Sequence, residues 1–152
     1  MPVTIAGLPI HVLLVHAVVV LIPLMAVATA VAAIVPKWRD RLLWIAGVDA
    51  VMMVVSLVAS NAGESLLAGL KSTGAALPEA TNHGAIGHQF KFFVFGLVVA
   101  AFVAWLVREK MPWLGIALTV VAGIAVIAWT VYTGDTGARA VWGATMTGLH
   151  LG

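Results

Sequence analysis

Residues 10–35 read IHVLLVHAVVVLIPLMAVATAVAAIV, without one Asp, Glu, Lys or Arg, and Pro9 and Pro36 bracket the run. A hydrocarbon core about 30 Å thick is crossed by roughly 20 apolar residues in a helix. The stretch therefore predicts a transmembrane helix. A cleaved signal peptide has a shorter apolar core behind a positively charged front. Residues 1–10 carry no charged side chain, so the run is read as part of the mature protein.

Outward from this helix the pattern repeats. The polar link Lys37-Trp38-Arg39-Asp40-Arg41 leads into a second span over 42–62, interrupted by one acid, Asp49. Residues 61–82 read as the longest loop, with Gly63-Glu64-Ser65-Leu66-Leu67 as a short helical continuation. A third span over 86–107 opens near His83 or His88, with Lys91 in its first turns. After Arg108-Glu109-Lys110 and Pro112, a fourth span runs over 113–133, and the glycine-rich tail 134–152 is too short to cross again. The expectation is an all-α, integral membrane four-helix bundle in which residues 1–152 form a single transmembrane domain.

Composition supports this and removes other classes. The chain is 62% hydrophobic and 9% charged, whereas soluble domains carry about 25% charged residues. Cysteine is absent, which rules out disulfides, thiolate metal sites, cysteine-ligated clusters and covalent haem attachment. The net charge of +2 comes with no Lys/Arg-rich run to follow a phosphate backbone, so no nucleic acid partner is expected. Neither a nucleophile elbow nor an HExxH helix is present.

Orientation follows from the distribution of Lys and Arg, which stay on the cytoplasmic side. The two short links hold Lys37, Arg39, Arg41, Arg108 and Lys110, and the opposite side holds Lys71, Lys91 and Arg139. Both termini are thus expected outside, in a multi-pass protein of the cell membrane. Trp38, Trp44, Trp105 and Trp113 mark the inner boundary, and Trp129, Tyr132 and Trp142 the outer one. Small residues, Ala26, Ala30 and Ala33 on the first span and Gly115, Thr119, Ala122 and Gly123 on the fourth, are candidates for close helix contacts.

Under this topology all five histidines, His11, His16, His83, His88 and His150, fall on the outer side. The first and third spans both run inward and open with the same His-x4-His pattern, HVLLVH and HGAIGH. This sets His11 level with His83, and His16 level with His88 about 7.5 Å deeper. A lone interfacial histidine is ordinarily just solvated, and His150 near the chain end is read that way. Matched pairs on co-oriented helices instead resemble the two axial ligands of a b-type haem. His16 with His88 is the favoured pair, and His11 with His83 the alternate.

Glu64 and Asp135 end near the same layer, as partners that fix an imidazole tautomer or as ligands themselves. With two or three histidines they would suit Zn or Cu. Asp49 lies roughly 12 Å beyond Arg41 by helix rise. It is a candidate proton relay, or is bonded to a neighbouring helix such as the Thr119 region.

The residues also resemble a family of bacterial membrane proteins catalogued as domain of unknown function 2231. Its opening looks like Leu8-Pro9-Ile10-His11 followed by Leu14-Val15-His16, and its later TGxxGAxxV-aromatic stretch is similar to Thr133-Gly134-Asp135-Thr136-Gly137-Ala138-Arg139-Ala140-Val141-Trp142. His83 and Gly87 match an His-x3-Gly element. Val12 departs from a frequent Pro, Ala17-Val18 from Phe-Pro, and Asp135 from a common His, which weakens a ligand role for Asp135. The resemblance favours His83 over His88. Because such domains occur joined to Rieske-type iron–sulfur domains, it also implies electron transfer at the outer face.

The functional expectation is a haem b electron-transfer protein exchanging electrons with an outer Rieske-like protein or quinone. The alternatives are a Zn- or Cu-binding membrane protein, and a non-catalytic subunit of a larger complex or homo-oligomer.

Overall fold

In the computed structural model, which describes residues 4, 5 and 7–148 and side chains as far as 143, four helices are long and apolar enough to cross a membrane. They are α1 (Ile10–Ile34), α2 (Leu42–Ser72), α3 (Pro78–Val107) and α4 (Pro112–Gly148). A two-stranded ribbon, β1 (Thr4–Ile5) with β2 (Leu8–Pro9), precedes α1 and turns at Gly7, whose φ of +81° suits glycine. The protein is an all-α four-helix membrane bundle, as the apolar runs require.

Each helix packs chiefly on its sequence neighbours, α4 closes against α1, and α1 meets α3 only sparsely across the diagonal. Interior volume is small, so the centre is filled by Ile22, Ala26, Val94, Leu97 and Val126. Large apolar side chains such as Val20, Leu24, Trp44, Phe92 and Val121 point outward, where lipid solvates them. Trp44 and Trp113 are exposed at the end of the bundle that holds the two short links, and Tyr132 and Trp142 toward the end that holds the termini. Trp129 does not join the belt. It stacks on Phe93 at 4.4 Å and donates to the Ile86 carbonyl at 3.3 Å.

At the end opposite the termini, a 3-10 helix over Pro36–Arg41 joins α1 to α2. Arg39 donates to the Ala33 carbonyl at 2.9 Å, satisfying one of the acceptors left at the end of α1. Arg108 donates to Asp40 at 3.0 Å and to the Trp105 carbonyl at 2.8 Å, which ties the two short links together.

Two stretches differ from the sequence expectation. Much of 61–82 is helical, since α2 continues to Ser72 and α3 starts at Pro78, and α4 carries on through the glycine-rich tail to Gly148. Glycine disfavours a helix in water, but in a bundle it lets backbones approach, and packing outweighs propensity. The expected close contacts also shift. Gly123 sits under the Ala26 carbonyl, whereas a Cβ on Gly115 would lie 2.9 Å from the Ala104 Cα, on α3 rather than α1. Backbone cannot yield there, so Gly115→Val should separate α3 from α4. The expected loss is about 1–3 kcal/mol, read as an earlier midpoint in detergent-titrated unfolding.

Candidate functional site

His11 lies in the first turn of α1, and its Nδ1 is 2.8 Å from the Ala59 carbonyl oxygen of α2. A carbonyl only accepts, so Nδ1 carries the proton and Nε2 keeps a free lone pair. On α3, His83 Nδ1 is 3.1 Å from Thr136 Oγ1 of α4. The Thr136 hydroxyl proton is directed to the Thr133 carbonyl at 3.0 Å, so its oxygen accepts from His83 and the same tautomer results. A histidine that binds a metal is held in this way, its other ring N–H fixed by an oxygen.

The two rings meet across the bundle diagonal, with centroids 6.3 Å apart and planes at 64°. Each rests on a glycine of a flanking helix. A Cβ on Gly63 of α2 would lie 2.8 Å from His11 Cε1, and one on Gly137 of α4 would lie 3.0 Å from His83 Cε1. Both imidazoles line a cavity of about 460 Å³ that reaches Ser56, Phe90 and Thr130, within the range of about 300–1,000 Å³ usual for small-molecule sites. Thr133 lines it too, and its hydroxyl oxygen is buried without a hydrogen-bond partner among the described residues.

His16 and His88 are not brought together. His16 is exposed at the cavity edge and donates from Nδ1 to the Val12 carbonyl of its own helix at 2.6 Å. His88 is half-exposed, donating from Nδ1 to Glu64 at 2.7 Å and accepting at Nε2 from Lys91 at 2.8 Å. Five residues turn a helix by about 140°. Once His11 and His83 face the axis, His16 and His88 must turn away from it.

The carboxylates fall elsewhere as well. Glu64 serves His88, and Asp135 pairs with Arg139 at 2.8 Å one turn along α4. The His-and-carboxylate cluster that Zn or Cu requires is not formed: among the described residues no group of three or more His, Asp or Glu is placed to hold a metal ion. Asp49 accepts from Thr29 of α1 at 2.9 Å, while Thr119 donates to the Gly115 carbonyl of its own helix, so the expected partner is replaced. His150 lies outside the described residues.

The sequence reading missed Ala59, Gly63, Thr136 and Gly137. A signal existed, since Gly63 and the Thr136-Gly137 pair stand at helical spacing behind the second and fourth spans. Gly63 lies in the short helical continuation expected beyond the second span and Thr136-Gly137 in the tail expected beyond the fourth, and neither stretch is given a face toward the bundle.

A family model described as "Predicted membrane protein (DUF2231)" matches residues 7–148. Neither a curated protein nor a solved structure matches the chain.

Proposed function

Because the chain belongs to the DUF2231 family of predicted membrane proteins, and its own histidines converge in the bundle, we propose that it is a haem b electron-transfer protein. His11 and His83 would be the axial ligands, at the outer face of a bacterial cell membrane. The reading is supported by one observation: two imidazoles on diagonal helices with ring centroids 6.3 Å apart, each with Nδ1 engaged and Nε2 without a hydrogen-bond partner among the described residues.

The two histidine nitrogens would hold the haem iron between opposite helices. Zn or Cu would need further protein ligands, and Glu64 and Asp135 are engaged elsewhere. Gly63 and Gly137 remove the side chains that would crowd the imidazoles. The Thr133 hydroxyl is available to a polar edge of the ligand, and Val15, Val18 and Phe90 keep the inner wall dry. Haem held there supplies one-electron exchange between its ferric and ferrous states. The half of the cavity lined by Leu66, Leu70 and Ala80 lies toward the outer surface. A Rieske-like protein or a quinone would exchange electrons from that side.

The test is purification in mild detergent from haem-replete cells. The expected sample is red, with equimolar iron and an intense band near the violet edge that shifts on reduction. A colourless, iron-free protein overturns the reading. Stoichiometric Zn or Cu retained after dialysis would replace it with the metal-binding one.

A further inference from the structure

The outer cavity leaves unexplained the one acid placed deep in the bundle. Asp49 sits two turns past Leu42, about 10 Å inside the inner end of α2, and is only 1% exposed. Its Oδ2 accepts a hydrogen bond from Thr29 Oγ1 at 2.9 Å, and Thr29 is itself fully buried. Its Oδ1 is buried with no hydrogen-bond partner among the described residues.

The surroundings supply no countercharge. On α1 the contact is the neutral Thr29 hydroxyl. The buried hydroxyl of α4, Thr119, is directed to Gly115 and Ile116 of its own helix. Among the described residues no Lys, Arg or His forms an ion pair with Asp49. Of the basic side chains at that end, Lys37, Arg41 and Lys110 are exposed at the surface, Arg39 donates to the Ala33 carbonyl, and Arg108 engages Asp40, Glu109 and the Trp105 carbonyl.

An ionised carboxylate here would hold a full charge in hydrocarbon against one hydrogen bond, which is costly unless the charge is paired. The neutral acid carries no charge, and leaves only the smaller cost of a hydroxyl without an acceptor among the described residues. Its carbonyl oxygen, Oδ2, accepts from Thr29, and its hydroxyl oxygen is the atom that lacks a partner. A metal cation is a poorer occupant, because hard cations collect about six or more oxygens, and the site offers one carboxyl and one hydroxyl.

We propose that Asp49, held by Thr29, is an intramembrane proton-binding site whose proton resides on Oδ1 at neutral pH. The site lies in the inner half of the bundle, ten residues below Ala59 along α2, about 15 Å by helix rise. It does not depend on what the outer cavity holds.

Infrared difference spectra of the full chain in lipid bilayers at neutral pH test this, comparing the protein with Asp49→Asn. Expected is the carbonyl band of a protonated carboxylic acid, shifted in deuterium oxide and lost entirely in the variant. Thr29→Val should keep the band and move it to higher frequency, as a carbonyl freed of its donor does. Should Asp49→Asn fail to fold, the unaltered protein with carbon-13 in its aspartate carboxyls gives the same answer by solid-state resonance. Asp40 and Asp135 are ion-paired with arginines and exposed on the surface, so they report as carboxylates. One aspartate in the acid form supports the proposal, and three carboxylate signals overturn it. Carboxylate bands assigned to Asp49, with or without sodium present, do the same.

Discussion

His83→Ala should abolish binding of the proposed haem, and His11→Ala should do the same, whereas His16→Ala and His88→Ala should retain it. The asymmetry follows from where the rings point. His11 and His83 face one another with their Nδ1 atoms already occupied. His16 bonds its own helix, and His88 uses both nitrogens on Glu64 and Lys91. Loss of either axial ligand is close to all-or-none for a cofactor held by two. Thr136→Val removes only the oxygen behind His83 and should weaken retention by roughly 10–100-fold. Added imidazole should restore part of the visible spectrum to His83→Ala, since the space left by the ring admits it. Retention of full colour in both alanine variants, with loss in His16→Ala, would transfer the site to the other pair.

The second large effect is expected at Gly63. A side chain there meets the His11 ring at 2.8 Å, and the ring is fixed by Ala59, one turn earlier on the same helix. Gly63→Val must therefore push the imidazole off its carbonyl or force α1 away from α2. Either outcome empties the site, and overpacking of this kind costs about 1–3 kcal/mol. The measurements are the visible spectrum and the unfolding midpoint of one sample. Gly47→Ala is the matching control, because nothing lies within 4 Å of the added Cβ. It should leave the spectrum unchanged and raise helix stability by up to about 1 kcal/mol. Equal behaviour of the two variants would mean that Gly63 does not seat the ring.

The four spans were legible because bilayer thickness sets a length that apolar runs must match. Uninterrupted stretches such as 10–35 have no competing explanation once signal peptides are set aside. Depth was legible too, since rise per residue is constant, and it correctly set His11 level with His83. Rotation was not. The direction in which a residue points depends on the helix phase relative to its neighbours, and an almost wholly apolar span has no polar face to reveal it. That is why His16 and His88 seemed the deeper pair while turning away from the axis. Asp49 shows the same limit: its depth was readable, but its bond to Thr29 rather than the Thr119 region depends on how α1 meets α2. The two glycine seats were hidden for another reason. Gly63 opens a short helical continuation read without a bundle-facing side, and Gly137 lies in a tail whose glycine content signals loop by the rules of water-soluble chains.

α2 is 31 residues long and α4 runs to 37, lengths of about 46 Å and 55 Å against a hydrocarbon layer of about 30 Å. Both surplus segments extend at the end of the bundle that carries the termini, so the helices there reach past the length a bilayer requires. A partner at that end would meet a rim of helix ends rather than the long loop expected over 61–82. Recognition there would depend on matching that rim, and lengthening the Thr73–Leu77 crossing would disturb it far less than bending either tall helix.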